Sequence, residues 1–237
     1  MRSWKLNRNQ LKYLAIAAMV IDHVAAVYVP AELLVGQLMR FVGCLTGPCM
    51  AFFLAEGYLH TRDLRKYGLR LAIFALLSWP PFSLFQTGRA LFPAFGVIYT
   101  LFLGYLAILL WDKGRMAKGW KVVCTVLLCL VSMPGDWAIF DVLCPLLLFL
   151  YRDRPSRKWR LFALLAVLMM LLAVDWGKPL WTSAYVLGIP LVVILLRYGY
   201  NGLPGSKKLF HKWVFYIFYP AHLLILALLR WHFAIGF

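Results

Sequence analysis

Asp22, His23, Arg40, Glu56 and His222 interrupt apolar stretches of a 237-residue chain. Those residue types suit acid–base chemistry. A histidine titrating near neutrality can take a proton from a hydroxyl or an amine. A neighbouring carboxylate orients the ring and stabilises the imidazolium, and a guanidinium can hold an oxyanion or an anionic acceptor. His23 or His222 would be the base, Asp22 or Glu56 the orienting acid, and Arg40 the anion holder. Asp22 and His23 are adjacent, so on a helix they point about 100° apart and each meets a different neighbour. The simpler reading of this pair is interhelical hydrogen bonding that holds a bundle together. His222, close to Tyr219 and Pro220, could satisfy a carbonyl freed by the proline, and Arg40 could be a counter-ion to Asp22 or Glu56.

A second group is basic. The stretch HTRDLRKYGLRL (60–71) carries His60, Arg62, Arg65, Lys66 and Arg70. Such a face usually meets water and lipid phosphates, and it would also suit the phosphates of a cytoplasmic donor, bound by His60, Arg62, Lys66 and Arg70. No P-loop, G-x-S-x-G, H-E-x-x-H or dinucleotide fingerprint is present. No histidine is followed five residues later by aspartate, and the five cysteines form no C-x-x-C pair. Neither a zinc site nor a disulfide framework follows, and no metal is expected.

The elements that must position these groups are membrane helices. The chain is 63% hydrophobic and 14% charged, against ~45–50% and ~25% in soluble domains. That excludes an ordinary soluble enzyme, a disordered segment and a disulfide-rich scaffold. Apolar runs lie at about 13–30, 37–59, 71–87, 92–111, 121–135, 137–151, 161–175, 179–197 and 213–231. The first is preceded by a basic start, as in a signal peptide, but Asp22-His23 in its middle argues for a retained helix. The net charge of +16 would suggest nucleic acid in a soluble protein. Here 21 of the 25 basic residues fall in alternate loops, from Arg2 at the start to Lys207 and Lys212 before the last run. The expectation is an all-α integral membrane protein, a single domain over residues 1–237. It is a polytopic bundle of about nine transmembrane helices in the cytoplasmic membrane, with the N-terminus cytoplasmic, the C-terminus (Phe237) outside and anionic lipids as partners.

Ionisable residues at membrane depth are expensive and more often functional than structural. Asp22 lies ten residues beyond Lys12, and His222 ten beyond Lys212. Helix rise puts both about 15 Å deep, near the midplane. Equal depth predicts that the first and last helices are neighbours whose histidines line one cavity with Asp22. Asp136 and Asp141 mark the outer end of the sixth run, so a polar path from Glu56/His60 through the midplane to Arg40 and Asp136 is expected.

Three stretches carry a resemblance. LKYLAIAAMVIDHVAAVYVP, then MRFVGCLTGPCMAFFLAEGYLHTRDLRKYGLRLAIFALLSWPPF, then FYIFYPAHLLIL resemble the TraX family, whose namesake is associated with acetylation of conjugative pilin. The match covers the first 85 and last 25 residues; the middle follows mainly by hydropathy. The family looks like a compact relative of the transmembrane acyltransferases. The resemblance implies acyl transfer from a coenzyme A thioester, acetyl-CoA or another acyl-CoA, to an acceptor at or across the membrane. It points to Asp22, His23, Arg40, Glu56, His60, Thr61, Arg62, Asp136 and His222. Two positions depart from the family pattern: Cys44 stands where arginine is common, and Gly96 where asparagine is frequent.

The leading expectation is therefore an integral membrane acyltransferase. Its acceptor is left open among a protein N-terminus, a glycan and a lipid headgroup. A secondary transporter or flippase with a midplane Asp/His relay is the alternative, with the absence of a visible repeat against it. For a non-catalytic assembly factor the sequence offers no positive sign.

Overall fold

The computed structural model describes residues 5–206 and 208–233. Arg2, Lys207 and Phe237, used above for topology, lie outside the described residues, as does the side chain of Lys212. Among the described residues there are ten α-helices and one 3-10 helix. There is no strand, only the isolated bridges Leu6–Tyr200 and Phe95–Gly135. The all-α expectation holds. The chain divides into two compact units, Met1–Met50 with Trp159–Phe215, and Ala51–Lys158 with Tyr216–Phe237.

The first unit holds α1 (Arg8–Tyr28), α2 (Leu34–Gly43), the start of α3 (Thr46–His60), most of α8 (Pro155–Ala173), a 3-10 helix (Leu180–Leu187), α9 (Gly188–Gly199) and the start of α10 (Leu209–His232). A capping box starts α1: the Asn7 side chain accepts from the Gln10 amide at 3.0 Å, and Gln10 Oε1 accepts from the Asn7 amide at 2.9 Å. The second apolar run, expected as one helix over 37–59, is instead broken between Gly43 and Thr46. Pro48 has no amide to donate to the Cys44 carbonyl, so a continuous helix loses a bond there, while a new helix tolerates proline in its first turn. At one end of this unit the Leu6 amide donates to the Gly199 carbonyl at 2.7 Å and the Asn201 amide to the Leu6 carbonyl at 3.0 Å. At the other end, buried Gln37 donates to the Thr182 carbonyl at 2.7 Å and accepts from the Tyr185 amide at 3.0 Å.

The second unit holds the rest of α3, α4 (Leu64–Thr87), α5 (Val97–Lys113), α6 (Lys118–Val131), α7 (Phe140–Leu150), the first turn of α8 and most of α10. α5 lies at its centre, against α4, α6 and α7, around Leu103, Ala107, Val142 and Leu146. One end gathers the loops after α3, α5 and α7. There Tyr58 donates to Asp112 at 2.8 Å, and Lys158 pairs with Glu56 at 3.7 Å. The opposite end joins the loop before α5 to the α6–α7 loop, with the Asp136 amide on the Phe95 carbonyl at 2.8 Å. It also joins α10 to α4, where Arg230 donates to the Phe85 carbonyl at 3.0 Å.

Each of the nine apolar runs carries helix. Among the described residues, five segments are long and apolar enough to cross a membrane: Arg8–Tyr28, Leu34–His60, Leu64–Thr87, Leu180–Gly199 and Leu209–His232. α7 is apolar but has only 11 residues, about 16 Å of rise against a core of roughly 30 Å. Of the expected bundle of about nine transmembrane helices, length and composition thus support five among the described residues. The shortening at α7 has a local cause. The chain enters it through Trp137 and Ile139, both with positive φ, 53° and 63°. The Phe140 amide closes a tight turn on the Ala138 carbonyl at 2.6 Å.

Candidate functional sites in two polar clusters

In the first unit α1 and α2 bring Asp22 and Arg40 together. Arg40 Nε lies 3.9 Å from Asp22 Oδ1. Of the two counter-ions open to Arg40 in the sequence, the structure selects Asp22. The approach depends on Gly43, because a Cβ there would run into the Asp22 side chain. The Arg40 guanidinium lies over the Tyr185 ring, 4.6 Å from its centroid, which adds a cation–π contact. Cys44 donates its thiol hydrogen to the Tyr185 carbonyl at 3.5 Å. That contact ties Cys44 to the 3-10 helix. His23 is buried on the same helix as Asp22. Thr46 anchors the start of α3 by donating to the Ala15 carbonyl at 3.0 Å.

The Asp22–Arg40 ion pair is long and part-exposed, so its carboxylate oxygens are not saturated by the guanidinium. An anion or an acceptor group near Arg40 would meet a cation fixed from below by tyrosine and from the side by aspartate. Tyr185 and Gln37 were absent from the sequence-based site. Only their distance contacts reveal them, since neither makes a motif.

The second unit holds the remaining candidates. Glu56 and His60 lie one turn apart, with His60 Nδ1 3.9 Å from Glu56 Oε2 and 2.8 Å from the Glu56 carbonyl. Lys158 pairs with the other Glu56 oxygen and lies over Phe52, its nitrogen 5.1 Å from the ring centroid. Asp63 caps α4, accepting from the Lys66 amide at 2.9 Å. That backbone bond, helped by the Lys66 ammonium 3.3 Å away, holds the Asp63 carboxyl below the usual range. Arg62 and Lys66 are exposed, whereas Arg70 is half-buried over Tyr67 and bonds Tyr216. The basic stretch therefore presents Arg62, Arg65 and Lys66 outward more than Arg70.

At the opposite end of this unit, Tyr219 reaches the start of α5. Its hydroxyl accepts from the Val97 amide at 3.0 Å, one of the donors a helix N-terminus leaves unpaired. Gly96 makes room, since a Cβ there would meet the Tyr219 hydroxyl. A larger residue at position 96 would therefore push the Tyr219 hydroxyl away from the Val97 amide. His222 is buried and donates from Nδ1 to the Phe218 carbonyl at 2.9 Å, stacked on the Phe218 ring. A carbonyl only accepts, so Nδ1 carries a hydrogen in this contact. Asp136 and Asp141 both act electrostatically on the Tyr219 phenol. Asp141, fully buried against Thr100, was read from the sequence only as a helix-end marker. Asp22, His23 and Arg40 thus belong to the first unit, and Glu56, His60, Asp136 and His222 to the second.

Comparison with known proteins gives a consistent picture. Residues 7–230 match the family model described as TraX protein. The chain is 33% identical over 238 aligned residues to the Probable fimbrial assembly protein FimC, serogroup H1, of Dichelobacter nodosus, covering 92% of this chain and 93% of that protein. No solved structure matches.

Proposed function

As the chain belongs to the TraX family, we propose that it is a multi-pass acyltransferase of the cytoplasmic membrane, moving an acetyl or other acyl group from a coenzyme A thioester to an acceptor. The observation that carries this reading is the Asp22–Arg40 pair, set on α1 and α2 beside the buried His23. In the proposed reaction His23 takes the proton from the acceptor's nucleophile as it attacks the thioester carbonyl. Asp22 holds Arg40 in place, and Arg40 holds the oxyanion that forms before coenzyme A takes the proton and leaves as thiol. His222 is the second candidate base, and Glu56 the second orienting acid.

The donor's phosphates are proposed to meet His60, Arg62 and Lys66, with Arg70 behind them and Lys158 adding a cation at the same end of the second unit. The orientation proposed from the alternation of basic loops has the N-terminus cytoplasmic and the C-terminus outside. The relative's name, a fimbrial assembly protein, favours a subunit of a surface fibre as acceptor over a lipid headgroup. The transporter alternative draws on a different observation, the fully buried Asp141. Binding of labelled acetyl-CoA to the purified protein in nanodiscs separates the two. Saturable binding weakened by salt supports the transferase, and no binding removes it.

A further inference from the structure

Asp141 has no part in the proposed transfer, yet it is fully buried on α7 against α5. Its Oδ2 lies 2.8 Å from Thr100 Oγ1. Its Oδ1 has no hydrogen-bond partner among the described residues. The same Thr100 hydroxyl lies 3.0 Å from the Val97 carbonyl oxygen, one turn back along α5. A threonine hydroxyl has one hydrogen, and a carbonyl can only accept. If the hydroxyl hydrogen goes to Val97, the 2.8 Å contact joins two oxygens and needs a second hydrogen, which only the carboxyl can supply.

The surroundings favour that arrangement. Among the described residues, the groups that act electrostatically on Asp141 are Asp136 in the α6–α7 loop, Cys144 on α7 and Tyr219 on α10. No cation is among them. An ionised carboxylate would sit beside a second acid with one oxygen unpaired, and an unpaired charge is strongly disfavoured away from water. The approach is close because Gly104 presents no Cβ to the Asp141 carbonyl.

We infer that Asp141 is a proton-binding site: it holds a proton on Oδ2 and donates it to Thr100 Oγ1, whose own hydrogen goes to the Val97 carbonyl. The chain Asp141–Thr100–Val97 then ties α7 to α5 through neutral hydrogen bonds. Releasing the proton sets a negative charge beside Asp136, at the foot of the strained Trp137–Ile139 turn. The site stands on the second unit alone and is independent of acyl transfer.

Infrared spectroscopy of the full chain in nanodiscs at pH 7, with aspartate carboxyls labelled by carbon-13, tests this directly. The wild-type minus Asp141→Asn difference should contain the carbonyl stretch of a protonated carboxylic acid, moved by the label. In Thr100→Val, folded by circular dichroism, that band should shift to higher wavenumber because the acid has lost its acceptor. A difference spectrum showing carboxylate stretches instead overturns the proposal. So does an acid band unmoved in Thr100→Val, and this second arm decides alone if Asp141→Asn does not fold.

Discussion

Asp22 has its place because Gly43 has no side chain. Gly43→Ala pushes a methyl group into the aspartate, and such overpacking costs about 1–3 kcal/mol. Thermal unfolding should show that loss. Asp22→Asn keeps the shape and should unfold close to wild type while transfer falls. A Gly43→Ala protein as stable as wild type would mean that α1 and α2 are not in contact there. At the start of α4 the sign of a pH effect can be stated. Asp63 is held below its usual range by the Lys66 amide it caps. Its contribution is present above the unfolded aspartate value and disappears as pH falls through the lower folded one. The protection of the Lys66 amide, its exchange rate set against the intrinsic rate at the same pH, should therefore fall on acidification in wild type, and be low at all pH values in Asp63→Ala. The ionisable residues were legible at this scale, because a charge in an apolar run stands out. Tyr185 was not, because an aromatic in an apolar run looks like any core residue until a guanidinium is placed on it.

At the scale of elements, hydropathy located every helix and misjudged continuity. It has no means of registering that Pro48 withholds an amide from Cys44, or that the α6–α7 loop turns through positive φ at Ile139. The α5 start is the most testable element. Tyr219→Phe leaves the Val97 amide without its partner, at about 1–3 kcal/mol. Gly96→Asn drives a side chain into the Tyr219 hydroxyl and should destabilise more. Combining the two should cost less than their sum, because they act on one contact. Strict additivity in thermal or denaturant unfolding would show that Gly96 and Tyr219 are independent.

At the largest scale, hydrogen bonds within each unit bring loops together. Leu6 lies with Gly199, and Phe95 with Pro134. The sequence could not show the division into two units, since contacts between distant segments leave no local pattern. A reporter active only in the cytoplasm, fused after Phe237, should be silent; activity there would reverse the proposed orientation. Changing Arg62, Lys66 and Arg70 together to Gln should raise the donor KM far more than the acceptor KM. Unchanged donor kinetics would return this stretch to a lipid-facing role.

The central claim is acyl transfer at the Asp22–Arg40 pair with histidine as base. The most direct measurement is release of coenzyme A from acetyl-CoA by the purified protein in nanodiscs, with a fibre-subunit peptide as acceptor, for wild type, Asp22→Asn and His23→Ala. Wild type should turn over and label the peptide. Both variants should still bind acetyl-CoA and lose about 10²-fold or more in turnover, the range for an acid–base group. Turnover in His23→Ala equal to wild type would contradict the assignment of that base, and undiminished turnover in both variants would contradict the account of the site.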